Sequence, residues 1–492
     1  MEYLTHSNSL LQSLDKSTMD GVLSRGIFTS QLQHRYVLCR PRGKKSPKWK
    51  VLMSANENIN RRDFLKGMAA SSVGLALGAQ ALTANADSGS DTAAKATADP
   101  YAGAPVKCAV IGLGPRGREI LSSLAKMPQN SAPVVGMCDN YTDPYFIKKS
   151  TNIIPNVTVQ TDYRKILDDN TVQAVFVATP SYLHKQITLD ALAAGKHVYC
   201  EAPMSSDLDE AKVIAQAGAA AKTVFQPGMQ YRSNGMHLHV MTFVHAMDFG
   251  IIFSGRSQWH RRGSWQRVDP SDARMKALNW RMYKDTSSGL AGEIGIHQLD
   301  VFSWVMNHTP ISVQGYGGII EWGKDGMQVP DTIEVIIQYP NNVNCYYDAS
   351  LVTSFDGAFE SVFGNQASVV IRDQNAWMFK ESDAPLIGWE VYAKRETMGI
   401  GDTKTGTGIM LVADATKQLL LGKQPASVGN DVSKTALYQS VGAFLNTIRD
   451  PKANPLKCTA QDGYTANVVA LKTNESILTG QKITFDPSMF TL

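Results

Sequence analysis

Gly112, Gly114 and Gly117 stand in the order Gly-Leu-Gly-Pro-Arg-Gly at the end of a short apolar run, residues 107–111. Glycines at this spacing suit the holding of a pyrophosphate. The first permits a tight turn, the second lets the backbone approach the anion, and the third lets a following helix pack close to the strand. That helix is predicted over 118–127, with Ile120, Leu121 and Leu124 on one face. Its unpaired N–H groups and positive dipole end would face the phosphates. Leu113, Pro115 and Arg116 complete the loop and are expected to line the cofactor. A second apolar run, 133–138, ends in Asp139, 22 residues beyond Gly117. A carboxylate there accepts hydrogen bonds from ribose hydroxyls and repels a 2′-phosphate, so the expected cofactor is NAD in preference to NADP.

A second group lies far along the chain. If the segment from 293 is helical, Glu293, His297, Asp300 and Trp304 share one face, with Phe302, Val305 and Met306 supplying apolar packing. The spacing leaves three readings open. The face is merely solvated; or the imidazole, near neutral pKa, transfers a proton while a nearby carboxylate holds its tautomer; or Glu, His and Asp hold a metal. Tyr283 precedes the glycine-rich approach to this segment and is expected to touch substrate.

The chain between these groups reads as alternating strand and helix. A short helix is predicted at 163–168, and 174–178 is continuously apolar, as in a parallel strand buried on both faces. It ends in Thr179-Pro180-Ser181-Tyr182-Leu183-His184, followed by a helix over 184–194 and Gly195. A strand at 197–200 ends in Glu201-Ala202-Pro203, a helix follows over 208–221 behind Asp207, and 224–230 returns to the sheet. Ligands of open α/β sheets bind beyond the carboxyl ends of the strands. The glycine loop, Asp139, Thr179, Pro180, His184, Glu201, Ala202 and Gln230 all fall there and form one expected cofactor site.

Beyond it come a helix at 233–249 and a strand at 251–262. Strand-like segments at 313–322, 332–339, 344–351, 359–363, 368–372 and 376–379 are separated by Gly, Pro, Asn and Asp, as in an antiparallel meander. Residues 381–430 carry no interpretable motif, and 435–449 and 465–478 read as closing helices.

The chain has 492 residues and a net charge of +4, but residues 1–52 contribute +6, so the remainder carries −2 and nothing points to nucleic acid. Met53 opens a different kind of segment. Asn60-Arg61-Arg62-Asp63-Phe64-Leu65-Lys66 precedes a mildly apolar run, then Ala84-Asn85-Ala86. A charged region, an apolar region and an A-x-A site make an export signal, and Arg-Arg-x-Phe-Leu-Lys resembles the twin-arginine type. Its Gly- and Ala-rich run is too weakly apolar for a stable membrane anchor. The expectations are translation from Met53, a spurious or disordered extension at 1–52, a signal at 53–86 cleaved near Ala86, a linker at 87–104, passage through the twin-arginine machinery and a periplasmic or otherwise exported product. The six cysteines, at 39, 108, 138, 200, 345 and 458, form no C-x-x-C pair and imply neither a disulfide framework nor a zinc site.

The order Gly-x-Gly-x-x-Gly, Asp139, Ala178-Thr179-Pro180-x-x-x-His184 and Glu201-x-Pro203 resembles the Gfo/Idh/MocA oxidoreductases from about residue 105 to the C-terminus. The resemblance implies an α/β fold: an N-terminal Rossmann domain, 105–230, and a C-terminal α/β domain, 231–492, with an open, mostly antiparallel sheet. One face of that sheet would pack on helices and the other support a homodimer or homotetramer. The resemblance also implies NAD(P), a carbohydrate substrate and no metal. His297 is carried over as acid/base, with Glu293 in the place of the Asp of the family's Asp-x-x-x-His. One position departs from the family pattern. Where relatives have Glu-Lys-Pro, with a lysine that assists proton movement, this chain has Ala202, whose methyl cannot hydrogen-bond a hydroxyl.

Export and a dinucleotide are compatible if the cofactor is loaded before export and recycled in the site. The expected function is therefore an exported oxidoreductase acting on a sugar, cyclitol or glycoside with tightly bound NAD. The alternatives are a redox-assisted glycosidase working by transient C3 oxidation, elimination and re-reduction, and a non-catalytic carbohydrate-binding relative.

Overall fold

The computed structural model describes residues 99–492 apart from 247, 269–273, 373–374, 386–395, 401–402 and 412–434. The N-terminal extension, the twin-arginine segment, Ala86 and most of the linker lie outside the described residues.

The first half alternates as expected: β1 (Cys108–Ile111), α1 (Pro115–Ala125), β2 (Val134–Cys138), α2 (Pro144–Thr151), β3 (Val159–Gln160), α3 (Arg164–Leu167), β4 (Ala174–Val177), α4 (His184–Ala193), β5 (His197–Cys200), α5 (Leu208–Ala220) and β6 (Phe225–Pro227). All neighbouring strands are parallel, in the order β3-β2-β1-β4-β5-β6. The order reverses between β1 and β4, which opens a crevice at their carboxyl ends. Every residue of β1 and β4 is buried, which is why both read as unbroken apolar runs. Helix α1 begins at Pro115, three residues before the expected start. Proline at the first helical position gives up no helical hydrogen bond, and Gly114 is the N-cap. Arg116 and Gly117 therefore belong to the first turn.

A 3₁₀ turn, Gln230–Ser233, leads into the second half. There follow α6 (Gly235–His245), β7 (Ile252–His260), α7 (Met275–Leu278), α8 (Gly289–Glu293), α9 (Ile296–Met306), β8 (Ser312–Gly318), β9 (Thr332–Tyr339), β10 (Val343–Ser350), β11 (Ala358–Gly364), β12 (Ala367–Arg372), β13 (Asn375–Lys380), β14 (Glu396–Ile400), β15 (Thr403–Leu411), α10 (Ala436–Arg449), α11 (Ala460–Thr479) and β16 (Ile483–Thr484). Among the described residues these strands form one sheet in the order β14-β15-β13-β12-β11-β7-β10-β9-β8-β16. Its pairs are antiparallel except β7 with β10, which run parallel. Strands β14 and β15 fall in the stretch where the sequence carried no motif.

Along β9, Ile333, Val335, Ile337 and Tyr339 are buried while Glu334 and Ile336 are exposed. The buried face packs on α11, so closely that a Cβ on Gly315 would stand 2.6 Å from Ile477. On the other face Tyr316, Ile336 and Tyr346 are exposed.

Helix α10, beyond residue 230, packs in the core of the nucleotide sheet. Phe444 lies edge-on to Phe176 and Tyr199, with ring centroids 5.4 and 5.6 Å away, and Leu437 and Val441 bury beside them. The helix expected to run unbroken from Glu293 instead breaks at Ile294 and Gly295, between α8 and α9. At the break Tyr347 of β10 abuts the backbone: a Cβ on Gly295 would lie 2.7 Å from its ring.

Candidate active site

The glycine loop has the geometry its sequence requires. Gly112 has φ +94°, and a Cβ there would stand 2.6 Å from the Ala178 carbonyl. A Cβ on Gly117 would stand 1.8 Å from the Gly112 oxygen. Around Gly114 no heavy atom lies within 4 Å of where a Cβ would be, so its backbone is open to approach. The hydroxyl of Thr179, at the end of β4, is buried without a hydrogen-bond partner. An open backbone at the N-terminus of α1 and a stranded hydroxyl beside it fit a bound dinucleotide. The carboxylate of Asp139 accepts from the Leu113 N–H at 2.7 Å and the Tyr141 N–H at 2.8 Å. Burial raises its pKa and these two N–H groups oppose the rise. Leu113, expected to line the cofactor, instead buries its side chain and gives its N–H to Asp139. Arg274 reaches across from the second half to the Asn140 carbonyl and side chain at 3.2 and 3.1 Å.

Thr179, Pro180, Ala202 and Gln230 lie half-buried at the strand ends, as expected. His184 does not join them in the crevice. Its ring is buried, with Nε2 2.9 Å from the Thr179 carbonyl and Nδ1 3.0 Å from the Pro203 carbonyl. It braces the two loops that follow β4 and β5. Burial lowers its pKa, and the backbone contacts with Thr179 and Pro203 oppose the shift.

Arg116 turns its side chain towards the middle of the site. Nε lies 2.9 Å from Glu201 Oε1, Nη2 donates to Gln230 Oε1 at 2.8 Å, and Nη1 donates to Glu119 at 3.1 Å. Burial alone would lower the guanidinium pKa; the Glu201 charge overrides this and holds it above the usual value. The burial of Glu201 raises its own pKa and Arg116 opposes that rise, a mutual dependence that favours the ion pair. Along the outer side of α1, Arg116, Arg118, Lys149 and Gln230 line a groove of about 800 Å³.

The turn carrying Gln230 also reaches α9. The Tyr231 ring stacks on His237 at 4.5 Å and lies 5.7 Å from the His297 ring. Arg232 makes a bidentate pair with Asp300, both contacts at 2.8 Å, and reaches Asp462 at 3.1 Å. Three consecutive residues thus join Arg116, His297 and Asp300. His297 Nδ1 is enclosed and has no hydrogen-bond partner. Burial, reinforced by the positive charge of Arg116, pushes its pKa down to about 3. The Tyr347 hydroxyl, likewise buried, has no partner either.

Glu293 does not orient His297. Its Oε1 accepts from Ser181 Oγ at 3.0 Å and Ser288 Oγ at 2.8 Å, and its Oε2 faces Arg281 Nε at 3.5 Å. The break at 294–295 is the physical reason: with the helix interrupted, residues 293 and 297 no longer stack one turn apart. Asp300 is likewise committed to Arg232. Tyr283 lies under Lys276, whose Nζ is 5.7 Å from its ring, with no hydrogen bond or ring contact to His297. Among the described residues no cluster of three His, Cys, Asp or Glu could hold a metal, and Cys108, Cys138, Cys200, Cys345 and Cys458 are buried free thiols. Arg232, Tyr231 and Ser181 escaped the sequence reading, although each lies within two positions of a residue it singled out.

A reversed-order parallel sheet with this loop, joined to a large mixed sheet, defines a two-domain protein of the NAD-binding oxidoreductase type. The chain belongs to the Gfo/Idh/MocA family: the model of the oxidoreductase family's NAD-binding Rossmann fold matches residues 106–229, and that of the GFO/IDH/MocA C-terminal domain matches 237–370. A twin-arginine translocation signal model matches 58–78. The levoglucosan dehydrogenase of Pseudarthrobacter phenanthrenivorans is 30% identical over 146 residues, 30% of this chain and 36% of that protein. The 2,7-anhydro-N-acetylneuraminate hydratase of Mediterraneibacter gnavus is 24% identical over 242 residues, 48% of this chain and 58% of that protein. The match thus spans between about a third and three fifths of these curated relatives. A structure of levoglucosan dehydrogenase in complex with NADH and levoglucosan superposes with a TM-score of 0.61 at 20% identity, covering 78% of this chain and 99% of that one. Among the described residues no helix is long and apolar enough to cross a membrane.

Proposed function

We propose that the protein is an exported oxidoreductase that moves hydrogen between a CH–OH carbon of a sugar, cyclitol or glycoside and a tightly held NAD. What supports this reading is the glycine loop, Asp139 and Glu201 at the carboxyl ends of the parallel strands, with His297 5.7 Å from Tyr231 and under the charge of Arg116. The residues 112–117 and the N-terminus of α1 would hold the pyrophosphate, and Asp139 the ribose. When bound, NAD supplies the hydride-accepting chemistry. His297, neutral across the working pH range, takes the hydroxyl proton and returns it in the reverse direction. Glu293 fixes the loop after β4 against α8 and so sets the floor of the site. The twin-arginine segment supports export. Outside the cytoplasm little free NAD is at hand, which favours a cofactor that stays bound and is recycled. The exposed face of Tyr316, Ile336 and Tyr346 supports a homodimer or homotetramer.

The test is the absorbance spectrum of the purified protein before and after single sugars are added. Reduced nicotinamide should appear with an oxidisable sugar and disappear with a carbonyl acceptor. A protein that binds sugars but never changes its spectrum would leave only a binding role.

A second reading has its own support: Ala202 replaces the family lysine, and one relative is named a hydratase. In it a glycoside is oxidised transiently, the aglycone is eliminated and the product is re-reduced. Aglycone release from an aryl glycoside without net reduction of NAD would distinguish it.

A further inference from the structure

We propose that Arg116 is a catalytic residue: its guanidinium holds the substrate oxygen while that oxygen gives its proton to His297. Four observations carry this. The side chain leaves the glycine loop and points to Glu201 and Gln230, two groups at the carboxyl ends of the sheet. Nη1 and Nη2 each donate one N–H, to Glu119 and Gln230, and Nε pairs with the Glu201 charge, so among the described residues one N–H on each terminal nitrogen is left over. Gln230, which holds it, is followed by Tyr231, whose ring lies 5.7 Å from His297. Residue 202, next to the Glu201 that anchors it, is alanine and brings no charge of its own.

An arginine at this place differs in kind from a lysine. It keeps its charge at every working pH and cannot relay a proton. Its work is to stabilise negative charge that develops on a carbinol oxygen. The O–H bond breaks and its proton goes to the His297 imidazole. The electron pair left on oxygen forms the C=O bond, and the displaced C–H pair is what the NAD of the proposed reaction takes up. Burial, with the same charge added to it, keeps His297 neutral beforehand.

The inference rests on the oxidoreductase reading, and its test separates the two. Arg116→Gln leaves Glu201 buried without its cation, so the double variant Arg116→Gln/Glu201→Gln is made beside it to keep the pair neutral and folded. Three quantities are measured on the full-length protein: NADH affinity by fluorescence, the titration of His297 by NMR, and turnover. The double variant should bind NADH within about two-fold of wild type, titrate His297 at higher pH, and lose turnover by about 10²–10³-fold. Added guanidinium should restore part of the turnover to Arg116→Ala. A fall in NADH affinity matching the fall in turnover would make Arg116 a phosphate ligand and overturn the proposal, as would an unmoved His297 titration. If the wild type turns over no sugar, the oxidoreductase reading fails, while the His297 titration still decides whether Arg116 faces that ring.

Discussion

Ser181 Oγ donates to Glu293 Oε1 across 3.0 Å and so ties the loop after β4 to helix α8 of the second half. Ser288 and Arg281 complete the ring around the same carboxylate. Glu293 is thus a joint between the two halves of the molecule, and its substitution should act on stability first. Glu293→Ala leaves four donors without their acceptor, at a cost of about 3–5 kcal/mol. Thermal unfolding should show that loss, while the His297 titration stays where it is in wild type. An unchanged melting temperature with a displaced His297 titration would restore Glu293 to an orienting role.

His297→Ala should lower turnover by about 10²–10⁴-fold and leave the dinucleotide bound. The pH dependence is the sharper test. With its pKa pushed down to about 3, His297 is already neutral at pH 5. The kcat/KM profile should therefore show no acid limb near the ordinary histidine value of about 6.5. The stability consequence has a definite sign. Between about pH 6.5 and pH 3 the unfolded chain binds a proton that the native ring refuses, so stability is lost as pH falls through that window. Replacing His297 by Asn should flatten this part of the acid unfolding curve.

Asp139 should make NAD bind more tightly than NADP, since a 2′-phosphate would meet the carboxylate that Leu113 and Tyr141 fix at the end of β2. The penalty for leaving those groups unmatched is about 1–3 kcal/mol. Stripped protein reconstituted with each cofactor gives the measurement, and Asp139→Ala should narrow the gap. Arg118 and Arg274 act electrostatically on Asp139, so tighter binding of NADP would mean that these two cations rule the pocket.

Ala202→Lys should reduce activity. The Glu201 carboxylate, which an ammonium at 202 would need as partner, is already paired with Arg116. An unpartnered buried ammonium costs several kcal/mol or gives up its proton. Single-turnover reduction of bound NAD by a simple polyol, compared between wild type and variant, tests this. A gain in the variant would show that the site is a dehydrogenase lacking its lysine.

Breaking the Arg232–Asp300 pair from one side should be worse than removing it whole. Arg232→Met strands a buried carboxylate, at a cost of about 3–5 kcal/mol, and Arg232→Met/Asp300→Leu should recover most of it. Urea unfolding of the two variants decides: equal losses would mean that the pair carries no mutual dependence.

Local pattern was enough for the nucleotide half. Gly112 and Gly117 are legible because the turn and the close approach are backbone demands that only glycine meets, and Asp139 because it stands at the end of a strand. The buried strands β1 and β4 are legible because a parallel strand covered on both faces must be apolar throughout. The second sheet was legible strand by strand from alternation, as in β9. What the sequence could not carry is anything set by residues distant along the chain. The helix from Glu293 to His297 looked continuous because periodicity is a local property, and the Tyr347 ring that abuts the break lies some fifty residues later. His184 looked like a ligand until two carbonyls, at 179 and 203, were found at its nitrogens. Helix α10 returned to a sheet more than 250 residues earlier because an apolar face buries wherever a complementary one is open, and sequence order does not restrict that choice. Arg116 was a position in a loop; that it is held by Glu201 and Gln230 depends on three strand ends meeting at one crevice, which only the tertiary structure brings about.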